Sequence, residues 1–97
     1  MNLPTIRQLQ FLDALARERS FSRAAESMFV TQPTLSTAIR ELEAVLDVQL
    51  VEREARGATL TPIGAELVAR ARVVLSDVED LVLTAKGATE PLHGTFR

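Results

Sequence analysis

The chain has no cysteine, tryptophan or tyrosine among its 97 residues, and only one histidine. Without cysteine there is neither a disulfide nor a cysteine-ligated zinc site. A nucleophile–base pair would need cysteine or a central histidine, and a metal site would need clustered ligands. The single histidine, His93, falls in a short stretch near the end that reads as a linker, where it is a solvated residue. No enzyme is therefore expected, and no cofactor or metal. Phe is the only aromatic, so the core must be built from Leu, Val, Ile and Ala. No apolar run approaches the length of a membrane span, and the first residues lack the charged-then-apolar layout of a signal peptide. An intracellular, cytoplasmic protein is the expectation, with no membrane partner.

A basic excess is also missing. The net charge is −2, from 11 basic and 13 acidic residues, which counts against nucleic acid as a partner. The distribution counts the other way. Residues 27 to 40 contain Arg40 and no acid, while acids gather at Glu41, Glu43 and Asp47 and along the last helical stretch. A locally non-acidic face can meet phosphate, with modest and salt-sensitive affinity. The hydrophobic fraction of 46% is that of a globular chain, and the length fits one small domain plus an appendage.

Periodicity predicts a mainly helical chain. Ile6, Leu9, Leu12, Leu15 and Ala16 are spaced for an amphipathic helix over about residues 5 to 18, after Pro4 and Thr5. Ser22 reads as the N-cap of a short helix from Arg23 to Phe29, with Phe21 packing back as a staple. Thr31 reads as the next N-cap, with Pro33 tolerated in the first turn. That third helix runs to about Leu46 on a stripe of Leu35, Ile39, Leu42 and Leu46, leaving Ser36, Thr37 and Arg40 toward solvent or a ligand. Asp47 ends it where glycine is usual. Leu50 to Arg53 and Ala58 to Leu60 then read as two short strands joined by Glu54 to Gly57, with Gly57 supplying positive φ. Thr61-Pro62 starts a fourth helix that continues to about Ala85 or Lys86, before Gly87.

The start of the third helix carries the chemistry. Thr31, Gln32, Pro33, Thr34, Ser36 and Thr37 place hydroxyls and one amide where a helix N-terminus offers unpaired N–H groups and a positive dipole end. Small polar side chains there can reach base edges in a major groove. Each has a blander reading. Gln32 could be an ordinary first-turn residue, and Thr31 is a cap first and a phosphate donor second. Thr34, Ser36 and Thr37 gain weight only by clustering on one acid-free face. Arg40 either pairs with Glu43 or meets phosphate. Arg23 pairs with Glu26 or Glu18, or meets DNA. Arg53, between Glu52 and Glu54, is as much a structural candidate as a DNA contact. Arg56, beside Gly57, is the better candidate at the hairpin tip.

In the last helix, Leu67, Ala71, Val74, Val78, Leu81 and Ala85 recur at intervals of four, three, four, three and four, a heptad seam. Val68, Leu75 and Val82 form a second stripe beside it. One stripe can pack on the first helix while the other meets a second chain. The alternative is a lone helix burying both within its own domain. A rod of roughly 35 Å is long for so small a domain, which favours a homodimer.

The stretch from Ser20 to Arg53 holds S-F-x-R-A-A, T-Q-P-T-L-S, I-R-x-L-E and L-x-x-Q-L-x-x-R in order, and Leu60 to Gly64 adds L-T-x-x-G. This series resembles the DNA-binding domain of LysR-type transcriptional regulators, over roughly residues 3 to 88. The P-T-L-S spelling and Pro91-Leu92-His93-Gly94 lean toward the peroxide-sensing OxyR branch. The resemblance implies a mainly α fold: a winged helix-turn-helix (1–60) with a small β-hairpin wing, a long C-terminal linker and dimerisation helix (61–87), and a hinge with the start of an effector-binding domain (88–97). The chain is then expected to be an N-terminal piece of a longer protein, with effector binding and a tetramer left to the part beyond it. By position, Gln32, Pro33 and Thr34 would approach bases, Ser36, Thr37 and Arg40 would flank them, and Arg53 and Arg56 would belong to the wing, with Arg56 near the minor groove. Thr37 stands where many relatives have arginine, Ala38 where they have glutamine, and Asp47 where they have glycine.

The expected function is sequence-specific binding to a double-stranded DNA operator of dyad symmetry, as a dimer or higher assembly. The competing reading is a dimeric winged-helix module that binds another protein. The negative charge favours the second, and the clean polar face from Thr31 to Thr37 favours the first.

Overall fold

The computed structural model describes residues 1–89. Four helices and one hairpin follow in the order α1 (Ile6–Glu18), α2 (Phe21–Ser27), α3 (Gln32–Leu46), β1 (Val51–Glu54), β2 (Gly57–Leu60) and α4 (Pro62–Thr89). The helix starts are chemical. At α1, Thr5 and Gln8 form a reciprocal capping box, each side chain bonding the other's backbone N–H at 2.9–3.0 Å. Thr31 accepts from the Thr34 N–H at α3. Thr61 accepts from the Gly64 N–H at α4 and donates to the Gln49 carbonyl at 2.6 Å.

Three expectations shift. The cap of α2 is Ser20, whose side chain accepts from the Arg23 N–H; Phe21 lies inside the helix and is buried, and Ser22 caps nothing. The reason is packing: Phe21, Ala24, Ala25 and Met28 share one helical face, so the helix must begin early enough to bury Phe21. The first strand sits one residue later than expected and the second begins one residue earlier, with Val51 opposite Leu60 and Glu54 opposite Gly57, so Ala55-Arg56 alone makes the turn. Gly87 does not end α4, which continues to Thr89; one glycine costs a helix about 1 kcal/mol against alanine, too little to stop it. The hinge expected over 88–97 is therefore still helix at Ala88 and Thr89; the rest of it and the Pro91–Gly94 signature lie outside the described residues.

Leu12, Leu15, Leu35, Ile39, Leu42 and Leu50 are fully buried and form the aliphatic core where α1, α2 and α3 meet. Each such side chain contributes about 1.5–3 kcal/mol by leaving water. The hairpin is tied down from both sides. The Ala58 N–H donates to the Arg19 carbonyl at the end of α1. Gly57, at φ 151°, lies so near that carbonyl that a Cβ would come within 2.5 Å of its oxygen. Glu43, weighed as the alternative partner of Arg40, instead accepts from the Leu50 and Val51 N–H groups at 2.7 and 3.3 Å, seating the start of β1 on α3. Asp47 takes the left-handed conformation (φ 57°), and the Val48 N–H returns to the Glu43 carbonyl, so α3 ends as a glycine would end it.

The first half of α4 packs on α1. Val68 and Ala71 are buried, and Asp13 of α1 receives Arg72 at 2.6 Å and Arg17 at 3.4 Å. The second half projects, giving the described residues extents of 53 × 30 × 20 Å.

Candidate nucleic-acid interface

α2 and α3 are joined by a turn in which Phe29 adopts φ 59° and the Val30 N–H returns to the Ala25 carbonyl. This turn places the first residues of α3 at the outer surface. Thr31, Gln32, Pro33 and Thr34 are exposed, and Thr37 and Arg40 continue the exposed strip along the helix. Along α3 the exposed strip holds no acid before Glu41, which adjoins Thr34, Thr37 and Ala38, but across the fold Glu54 of β1 lines the same cleft as Gln32.

Within this face the polar groups are partly ordered by one another. The Thr31 hydroxyl accepts from the Thr34 N–H at 3.3 Å and donates to the Thr34 hydroxyl at 2.9 Å, which leaves the Thr34 proton to donate outward. The Ser22 hydroxyl donates to the Gln32 Oε1 at 3.2 Å. Arg40 forms no ion pair with Glu43, whose carboxylate is engaged at β1. The Arg23 guanidinium reaches the Glu18 carbonyl at 3.4 Å, in place of the carboxylate of either Glu18 or Glu26.

Ser36 is the correction on this face. It is 8% exposed, and its hydroxyl accepts from the Arg53 Nη2. Arg53 also lays its guanidinium over the Phe21 ring, 3.9 Å from the centroid. One side chain of β1 thereby holds both helices of the turn, and this fixes the hairpin relative to α3. No local signal in the sequence announces the link, because the partners are 17 and 32 positions from Arg53. Arg56, at the tip, is exposed. Between hairpin and helices lies an open cleft of about 430 Å³ lined by Ser20, Ser22, Gln32, Arg53 and Arg56, among others.

On the expected seam of α4, Ala71 is buried and Leu67 packs against the core, both inside this chain. Val74 is 43% and Leu81 71% exposed, with Val78 half-buried and Ala85 exposed. Of the second stripe, Val68 is buried, Leu75 half-buried and Val82 exposed.

A helix-turn-helix whose second helix presents its N-terminal turn outward, flanked by an antiparallel hairpin pinned to it, is a winged helix-turn-helix domain. Residues 6–65 match the family described as bacterial regulatory helix-turn-helix protein, lysR family. The chain belongs to that family. It is 48% identical over 92 residues to the HTH-type transcriptional regulator EstR of Acinetobacter baylyi, covering 95% of this chain and 31% of the relative. To the DNA-binding transcriptional dual regulator OxyR of Escherichia coli it is 47% identical over 89 residues, covering 92% and 29%. The chain therefore spans about three tenths of the length of these curated relatives. Among solved structures, the BenM_DBD/catB site 1 DNA complex superposes with a TM-score of 0.87 at 34% identity, over 95% of this chain and 99% of that one. Oxidized OxyR of Corynebacterium glutamicum gives 0.86 at 38% identity, over 91% and 27%.

Proposed function

We propose that this chain binds double-stranded DNA sequence-specifically as the DNA-binding part of a LysR-type transcriptional regulator, with α3 in the major groove and the hairpin beside the minor groove. The observation that carries this reading is the outward strip of α3 from Thr31 to Arg40, which holds no acid and is tied to the wing through Ser36 and Arg53. Its shape supports the same reading, since the BenM_DBD domain it matches over nearly its whole length is described in complex with DNA. In this scheme Gln32, Pro33 and Thr34 meet base edges, while Thr31, Thr37 and Arg40 meet phosphate or the adjoining strand. Arg56 reaches toward the minor groove from the wing tip, and Arg23 contacts the backbone at the start of α2. Ser36 and Arg53 act within the domain, holding wing to helix.

The projecting half of α4 pairs with a second copy through Val74, Val78, Leu81 and Ala85. Residues 1–60 are then the DNA-binding domain, and α4 is the dimerisation and linker helix. Two copies place two recognition helices on a dyad site, with half-sites about one or two helical turns apart. A higher assembly, an effector and a peroxide-sensing role belong to the longer protein that such relatives are. The cytoplasm, where a bacterial chromosome lies, is the compartment this function needs.

The test is a fluorescence-anisotropy titration of the chain against a randomised duplex pool at several salt concentrations, with bound sequences recovered. Enrichment of a dyad motif, with affinity falling steeply as salt rises, is the expected result. Absence of binding at any salt would overturn the reading.

A further inference from the structure

Ser22 occupies the second position of α2, where it is free of capping duty because Ser20 performs it. Its hydroxyl instead crosses ten residues to donate to the Gln32 Oε1 at 3.2 Å. We infer that Ser22 is a positioning residue that sets which end of the Gln32 amide faces the major groove. The inference rests on the proposal that Gln32 contacts bases.

An amide has an acceptor end and a donor end of nearly the same shape, so an unrestrained glutamine can turn over and present either. With Oε1 drawn toward α2, the amino end is the part of Gln32 left for a ligand. Its donors complement guanine N7 and O6, adenine N7 and thymine O4, and they oppose the cytosine amino group, which is itself a donor. The chain thus discriminates against cytosine at the base facing Gln32. The same geometry separates this role from a simpler one. Phosphate oxygens only accept hydrogen bonds, and the one hydroxyl proton of Ser22 is already committed to Gln32. Holding the amide in this orientation uses that proton, so Ser22 cannot at the same time donate to phosphate. The two roles have different signatures, because a base-directed role changes sequence preference whereas a phosphate contact changes affinity for all sequences alike.

The experiment recovers bound sequences from a randomised duplex pool for the unaltered chain and for Ser22→Ala, Ser22→Thr, Gln32→Ala and the double variant Ser22→Ala/Gln32→Ala. Each preferred duplex is then titrated with cytosine substituted at each position. Gln32→Ala is expected to flatten one position per half-site. Ser22→Ala is expected to lose discrimination against cytosine at that same position by about tenfold, the scale of one good base contact. Ser22→Thr keeps the hydroxyl and retains the preference, and Ser22→Ala adds nothing in the Gln32→Ala background. Helical circular dichroism should be unchanged throughout, since Ser22 is exposed. Uniform weakening on every duplex, or an unaltered profile for Ser22→Ala, would overturn the inference while leaving DNA binding intact. If the unaltered chain enriches no sequence, or Gln32→Ala changes no position, the underlying proposal falls and this one with it.

Discussion

Replacing Arg53 with alanine removes two contacts at once. Ser36, 8% exposed, loses the donor to its hydroxyl, and Phe21 loses the guanidinium stacked 3.9 Å from its ring centre. A buried polar group left unpaired costs about 1–3 kcal/mol. A cation–π contact at a partly exposed site adds about 0.5–1 kcal/mol. The low ends apply, because Ser36 can turn its hydroxyl to a helix carbonyl and Arg53 is exposed. The expected loss is therefore about 1.5 kcal/mol, a substantial share of the 5–15 kcal/mol available to a domain of ordinary stability. Urea unfolding followed by circular dichroism measures it, on Arg53→Ala, Ser36→Ala and the double variant. The single losses should not add, because deleting both partners leaves no orphaned hydroxyl. A coupling energy of about 1 kcal/mol is expected for groups in direct contact. If Arg53→Ala left the unfolding midpoint unchanged while weakening DNA binding, the clamp would be refuted and Arg53 would be a DNA contact.

Gly57→Ala forces a side chain into φ 151° with its Cβ 2.5 Å from the Arg19 carbonyl oxygen, and such strain costs on the order of 1–3 kcal/mol; the same unfolding assay reads it, and an unchanged midpoint would show that the wing yields. Arg40→Ala should weaken binding equally on all duplexes and lower the slope of log affinity against log salt by about 0.9, one phosphate's worth. Leu81→Glu places a charge at a position 71% exposed in the single chain. Sedimentation should find a monomer whose own unfolding shifts by no more than about 0.5 kcal/mol. A dimer that persists would move the interface elsewhere.

What the sequence made legible was whatever is decided locally. The Thr5, Thr31 and Thr61-Pro62 helix starts depend on side chains within three positions of the groups they satisfy, and all three lie where expected. The outward face of α3 follows from the spacing of Leu35, Ile39 and Leu42, which fixes the opposite side as solvent. At the start of α2 two serines flank Phe21 and either can cap. The spacing of Phe21 with Ala24, Ala25 and Met28 favours the earlier one, and burial decides for it. Ser36 lies at the edge of the buried stripe, and only the approach of Arg53 from the hairpin draws it inward. Glu43 reads in the sequence as a surface acid three positions after Arg40, and so as an ion-pair partner for it. Its real partners are the Leu50 and Val51 N–H groups, met only when the chain doubles back. Contacts of this kind follow from the fold and leave no period in the sequence.

If this chain binds DNA as proposed, the N-terminal turn of α3 reads bases in the major groove. The most direct measurement takes the duplex enriched by this chain and compares its affinity with that of the same duplex carrying glucosylated 5-hydroxymethylcytosine, which fills the major groove and leaves the minor groove and phosphates in place. A loss of at least about tenfold is expected, the equivalent of one base contact. Equal affinity for the two duplexes would contradict it, because the chain would then be holding DNA without entering the groove.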